Sequence, residues 1–473
     1  MKKIVSLLFF LFIGWTLQAK DFPKVILAGD YPDPSILRDG KDYYMTHSPF
    51  YYAPGFLIWH SQDLEHWEPV CRAMAQWEGS AMAPDLVKYN NRYYIYYPAA
   101  GTNWVIWADD IRGPWSTPID LKVKGIDPGH VADAEGKRYL YLSEGKVVQL
   151  SDDGLSTVGE VKKVYDGWPY PRNWRTEGMY LESPKLNYHN GYYYLTSAEG
   201  GTAGPGTSHM VVTARSKSVL GPWENSPFNP LVHTYSERES WWSKGHGTLI
   251  DDVNGNWWVV YHAYAKGYHT LGRQTLIEPI EWTPDGWCRA KSTGTLPEVD
   301  ASIPYGLKLS DDFTGKELGL QWTFWKEYAP KAVTLEDRTL RLKAKGKTPA
   351  DGRLLLTTAE DKNYETQVEV TVGKNNTAGL LLYYSEKAYA GLVSDGKTFT
   401  IYRHAGQKTE MPNTLGRQFT VRIKNQGNHV SILVGKDGKE WTTLAEGIDV
   451  SGMHHNAYKG FYALRVGLVS IGK

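Results

Sequence analysis

The stretch Asp33-Pro34-Ser35-Ile36-Leu37-Arg38-Asp39-Gly40-Lys41-Asp42-Tyr43-Tyr44 decides the fold, because variants of it recur along the chain. Ala83-Pro84-Asp85-Leu86-Val87 leads through Asn90-Asn91 to Tyr93-Tyr94, and Asp127-Pro128-Gly129-His130-Val131 leads through Glu135-Gly136 to Tyr139. Ser183-Pro184-Lys185-Leu186 leads through Asn190-Gly191 to Tyr192-Tyr193, and His246-Gly247-Thr248-Leu249 leads through Asn254-Gly255 to Trp257-Trp258. Five units thus recur about every 50 residues, a period that marks a repeat architecture. Each reads as a short strand, a hairpin turn and an aromatic strand. A second echo, Ser61-Gln62-Asp63-Leu64 up to Trp67, then Gly113-Pro114-Trp115 and Gly221-Pro222-Trp223, supplies turns ending in a tryptophan that can plug between sheets. Four-stranded sheets repeated radially at this period make an all-β, five-bladed propeller over residues 20–300.

In a propeller the innermost strand of every blade starts at the same end of the central channel. One position per unit therefore converges on an axial pocket: Asp33, the Ala83–Asp85 turn, Asp127, the Glu182-Ser183-Pro184 turn and His246. Acids facing each other across a pocket with aromatic walls meet the requirement for cleaving a glycosidic bond. One carboxylate activates water and a protonated partner donates to the leaving oxygen. A third acid that stays charged raises the donor's pKa by repulsion. Asp33, Glu182 and Asp127 fit base, acid and modulator in that order.

The composition agrees with an ordinary folded chain. In 473 residues, 52 Lys and Arg balance 52 Asp and Glu, so no basic surface speaks for nucleic acid or anionic lipid. Aromatic residues make 13% of the chain, suited to strands and to flat ligands. Lys2 and Lys3, the apolar run Ile4 to Trp15, and Leu17-Gln18-Ala19 have the layout of a cleavable signal over residues 1–19, too short to span a bilayer. That layout predicts a secreted or periplasmic protein without a membrane-spanning segment. Cys71 and Cys288 are read as two buried thiols rather than a disulfide framework.

After Pro297 the pattern changes to alternating strands broken by hairpin turns, such as Phe419–Ile423 before Asn425-Gln426-Gly427-Asn428. These predict an antiparallel β-sandwich over residues 305–473. With no charged or low-complexity linker at the join, the two units are expected to pack together. Gly467–Lys473 ends while a strand or turn is in progress, where a sandwich would call for a further closing strand or one supplied earlier.

Tyr31-Pro32-Asp33-Pro34-Ser35, Gly125-Ile126-Asp127-Pro128, Glu182-Ser183-Pro184, Gly245-His246-Gly247 and Gly272-Arg273-Gln274-Thr275 ahead of Glu278-Pro279 occur in order. Together they resemble glycoside hydrolase family 43, over residues 25 to 295. The rest is similar to the concanavalin-like, jelly-roll sandwich that follows the propeller in β-xylosidase-type members. The resemblance implies an inverting exo-glycosidase acting on terminal α-L-arabinofuranosyl or β-D-xylosyl units of oligo- or polysaccharides. A related furanosidase or galactan specificity is the alternative within that chemistry, and a sugar-binding protein with a decayed site the alternative outside it. The resemblance assigns Asp33 as base, Asp127 as modulator and Glu182 as acid. Here the acid stands in Glu-Ser-Pro where the family usually has Glu-Gly-Pro, and Glu177-Gly178 competes for the role. Spacing to the hairpin glycine Gly191 favours Glu182 and leaves Glu177 to the pocket wall. Arg273 is expected to bind a sugar hydroxyl and tune Glu182. Phe50, Tyr51, Trp104 and Trp174 are rim aromatics, with Trp104 the preferred sugar platform and Phe50 a second. His246 is expected on the axis, contacting substrate, water, or a structural Ca²⁺ through water. No cofactor is required for this chemistry, and no Cys/His spacing of the zinc type is present. The Gly200–Gly206 loop reads as a flexible rim, since no Lys-Ser/Thr and helix follow it.

Overall fold

Alternating small and aromatic residues, punctuated by Asp-Gly, Asn-Asn and Asn-Gly turns, produce the hairpins that the repeat calls for. A computed structural model describes residues 22–76, 78–298 and 304–472. The signal-like segment at 1–19 lies outside the described residues. Blade I comprises Ser35–Asp39, Asp42–Thr46, Gly55–Ser61 and Glu68–Met74, all antiparallel. Blades II, III and IV begin with Asp85–Tyr89, Gly129–Ala132 and Leu181–His189, each pairing four strands in chain order, and in blade IV Val232–His233 adds a fifth beside the third strand. Blade V runs Trp241–Asp251, Trp257–Ala265, Arg273–Trp282, and is finished by Lys24–Leu27 from the other end of the propeller. The five inner strands contact one another in a closed ring, the last returning to the first.

The repeated aromatic pairs pack the blades. Tyr43, Tyr93, Tyr94, Tyr193 and Trp258 are all buried, each within an apolar cluster between sheets. The plugging tryptophans behave as the sequence suggests: Trp67 is buried between blades I and V, and Trp223 Nε1 donates to Tyr141 Oη at 3.2 Å. Cys71 and Cys288 are free thiols, Cys288 buried and Cys71 only partly so.

The sandwich has one sheet of Asn363–Thr371, Gln418–Gln426, His429–Gly435 and Thr442–Asp449. The facing sheet has eight strands, and its edge is Tyr52–Ala53, two residues borrowed from blade I and paired with Phe324 and Trp325. The two units therefore share a sheet. Arg465–Ile471, the final strand, lies between Arg353–Thr357 and Thr377–Ser385 and is paired on both sides. The strand that seemed to need closing is thus an interior strand of its sheet. A buried ion pair, Arg465 Nη2 to Asp30 Oδ2 at 3.0 Å, crosses the junction, with the guanidinium over the Tyr52 ring. Among the described residues, no helix is long and apolar enough to cross a membrane.

Candidate active site

One residue at the same phase of every repeat adopts a left-handed backbone: Asp33 (φ 56°), Ala83 (38°), Asp127 (55°), Ser183 (56°) and His246 (58°). Non-glycine residues seldom do so, at a cost on the order of 1–3 kcal/mol each. Five at one phase of the repeat form a built ring of kinks at one end of the channel. Asp33, Asp127 and His246 stand on this ring, buried to 4–5% exposure. Glu182 stands one residue before it. Its strand pairs Glu182 with Ala198 but Lys185 with Thr196, so an extra residue bulges between them. A bulge re-aims the side chains beside it. Here it lets a partly exposed Glu182 join acids that sit one register further on.

Asp33 is held from every side. Arg273 Nη1 donates to its Oδ1 at 2.7 Å and Nη2 reaches Oδ2 at 3.4 Å. Ser48 Oγ donates to Oδ2 and accepts the Ala83 N–H, tying the base to the blade II turn. The Asp33 N–H donates to His262 Nδ1 at 3.0 Å, and His246 Nδ1 lies 3.4 Å from Oδ1. Burial opposes its charge, but Arg273 first, then the neighbouring imidazoles, hold the carboxyl well below its usual range. Burial presses His246 down to about 3 and His262 to about 4, so both are neutral at physiological pH.

The other two acids move the opposite way. Burial, then repulsion from Asp127, Asp33 and Glu177, pushes Glu182 up to about 8. Burial and repulsion from Asp33 raise Asp127 to about 7. The Ser183 N–H donates to Asp127 Oδ2 at 3.1 Å, so Asp127 also fixes the turn that carries Glu182. Glu177, the competing acid, is exposed, and its Oε2 accepts the Ala203 N–H at 2.8 Å from the glycine-rich loop. That places it on the pocket wall.

Arg273 makes its bidentate contact with Asp33, and its charge also opposes the upward push on Glu182, the tuning that the sequence led us to expect. Gly272 makes the approach feasible: at φ 77° a Cβ there would sit 2.3 Å from Asp30 Oδ1. The guanidinium lies beside the stacked rings of Phe50 and of Phe461 from the sandwich, 5.6 Å and 5.0 Å from their centres. Phe50 is therefore a buried wall of the arginine slot more than an open platform. Phe461 stacks in turn on His455, and neighbouring Asn456 exchanges two hydrogen bonds with Gly204, so a sandwich loop reaches the rim of the pocket. Tyr51 packs on Trp325 and Tyr462 at the junction. Trp104, the preferred platform, is half-buried, donates Nε1 to Ala99 O and packs on the core between blades I and II, because it sits on the third strand of its blade.

A second layer lies two residues further along the inner strands. Lys185 Nζ, 3% exposed, meets Asp85 Oδ1 and Pro84 O at 2.8 Å and Pro128 O at 3.2 Å. Asp85 also accepts the His130 N–H at 2.7 Å and lies within reach of Ser35 Oγ. Asp85, a channel acid by phase, is thus neutralised. Ser48, His262, Lys185 and Phe461 escaped the sequence reading. Only Lys185 carried a signal, as a lone cation on an inner strand.

For the metal expectation, the donor set is poor. His246 Nε2 is buried without a protein partner, but among the described residues no three His, Cys, Asp or Glu side chains converge in a ligand group.

The profile "Glycosyl hydrolases family 43" matches residues 22–288, and "Beta xylosidase C-terminal Concanavalin A-like domain" matches 310–473. The Bacteroides ovatus non-reducing end alpha-L-arabinofuranosidase BoGH43B is 31% identical over 73% of this chain and 70% of its own. A Vibrio xylan 1,3-beta-xylosidase is 30% identical over 77% of each. The crystal structure of a Bacillus halodurans xylan beta-1,4-xylosidase superposes with a TM-score of 0.84 at 27% identity, covering 95% of this chain and 96% of that one. From strand order to sequence profile the observations agree, and the chain belongs to glycosyl hydrolases family 43.

Proposed function

We propose that the protein is an exported exo-glycosidase that removes terminal α-L-arabinofuranosyl or β-D-xylosyl units with inversion, using Asp33 as base, Glu182 as acid and Asp127 as modulator. One observation carries the reading: three clustered carboxyls have been driven apart in proton affinity, one down and two up. Such divergence defines acid and base roles. The relatives named for arabinofuranosidase and xylosidase activity support the choice of pentosides.

In the derived mechanism, water bound at Asp33 loses a proton to Oδ while its oxygen attacks the anomeric carbon. The bond to the leaving oxygen breaks on the opposite face, and Glu182 delivers its proton there. Asp33 ends protonated and Glu182 ionised, and exchange with solvent restores both. Arg273 keeps Asp33 ionised beforehand, and neutral His262 orients it through the backbone N–H. Asp33, Asp127 and Arg273 are 4–5% exposed, with Phe50 and Phe461 packed beside the guanidinium. The relative named as a non-reducing end arabinofuranosidase supports exo action. The basic and apolar start of the sequence supports export.

A panel of nitrophenyl pentofuranosides, pentopyranosides and galactosides tests the substrate class, and proton NMR of the first product tests stereochemistry. Pentoside turnover releasing the inverted anomer is expected. Preference for galactosides, or a retained anomer, would overturn the specificity or the mechanism respectively.

A further inference from the structure

Trp174, a rim aromatic with no part in the chemistry above, lies flat on His233, with ring centroids 4.5 Å apart and 7° between planes. Tyr235 stands edge-on to both, and Trp168 edge-on to Trp174 at 6.0 Å. His233 is pinned by a 2.9 Å bond to Thr207 O, yet Tyr235 is 66% exposed. Trp174, His233 and Tyr235, with Arg175, Glu237 and Arg238, line an open groove of about 520 Å³, inside the size range of small-ligand clefts. Arg175 and Glu237 come from opposite walls and lie 3.7 Å apart.

The groove lies beside the Glu177 segment, five residues before the acid in the chain. Its walls are the segments entering blades IV and V, which reach the channel at the end where the ring of kinks stands. Trp168 N–H donates to Glu199, whose neighbour Ala198 pairs with Glu182. Thr207 Oγ1 donates to Arg175 O, and Ser208 Oγ accepts the N–H of Glu177 on the pocket wall. A substrate protonated by Glu182 sends its leaving-group side outward from that wall. An exposed aromatic cluster held rigid by its own stacking loses little entropy on covering a flat apolar sugar face. The Arg175–Glu237 pair offers a donor and an acceptor to hydroxyls, and Arg238 adds further donors on the same rim.

On the reading given under Proposed function, we infer that the Trp174–His233–Tyr235 groove is a binding subsite for neutral sugar units on the leaving-group side of the scissile bond, favouring oligosaccharides over short aglycones.

The test compares Tyr235→Ala, Trp174→Ala and the ring-keeping Trp174→Phe. The readout is the ratio of kcat/KM for xylopentaose or α-1,5-arabinopentaose, whichever the enzyme cleaves, to kcat/KM for its nitrophenyl pentoside. That ratio should fall about tenfold for each alanine variant and recover in Trp174→Phe. A ratio equal to that of the unmodified enzyme in Tyr235→Ala, whose exposed ring can be removed without disturbing the core, would overturn the subsite. Calorimetric binding of both pentasaccharides to Glu182→Gln, with and without Tyr235→Ala, stands independently of turnover. If no pentoside is cleaved, the functional reading fails, while weaker binding with Tyr235→Ala supports the groove and equal or absent binding refutes it.

Discussion

Two layers of the same channel hold buried acids two residues apart in the repeat, and they put them to opposite use. In the upper layer Asp33, Asp127 and Glu182 crowd one another, with a single arginine committed to one of them. In the lower layer Asp85 meets Lys185, a backbone N–H and a serine hydroxyl, and four blades are tied through one carboxylate. Asp33 and Asp127 are as buried as Asp85, at 4–5% exposure, and Glu182 is partly exposed. What differs is whether a countercharge arrives, so the lower layer is structural and the upper one keeps protons available for chemistry.

The largest effects should come from erasing the upper layer. Asp33→Asn and Glu182→Gln should each lower kcat by about 10³-fold or more on an unactivated oligosaccharide, in line with general acid–base contributions. Glu177→Gln should stay within about tenfold. Loss confined to Glu177→Gln would move the acid to the pocket wall and break the comparison. Lys185→Met attacks the lower layer and leaves Asp85 buried without its cation, a change that costs about 3–5 kcal/mol. Thermal melting should drop by roughly 10 °C, and Asp85→Asn combined with Lys185→Met should regain part of it. An unchanged melting point would mean that the pair does not hold the blades.

Smaller effects sharpen the contrast. Activity should fall as pH rises through about 8, where Glu182 loses its proton. Asp127→Asn removes one repelling charge, so that alkaline limb should move down by about one pH unit, less than complete normalisation because burial is the larger cause. A limb that stays fixed would deny Asp127 its modulating role. Finally, a carboxyl raised in the folded state binds a proton that the unfolded chain has released. Stability contributed by that proton is present below the ordinary carboxyl range and is lost as pH rises through the folded value of about 8. Glu182→Gln should therefore raise the melting temperature by about 2–4 °C at pH 8 and by less at pH 5, followed by calorimetry.

Much of this was legible in the sequence where the cause is local and repeated. A Pro or Gly after a kinked residue, a turn at fixed distance and paired aromatics announce a blade each time, and five blades imply one axis. Asp33 and Asp127 could be found by phase alone. Glu182 could be found only approximately, since the bulge that brings it in depends on pairing with Ala198 and Thr196. Trp104 and Phe50 show the limit: position after an inner strand does not say whether a ring faces solvent, a neighbouring blade or an arginine.

The sequence by itself determined the five-fold repeat, the change of pattern near residue 300 and the convergence of acids on one end of a channel, because short-range periodicity writes those directly. Only the tertiary structure decided which acid is charged and what shuts the pocket. Those depend on partners far away in the chain: Arg273 on Asp33 across 240 residues, Lys185 on Asp85 across 100, and Phe461 arriving from another domain. Proton affinity is set by the field of everything within a few ångströms, and no local pattern encodes what folding brings there.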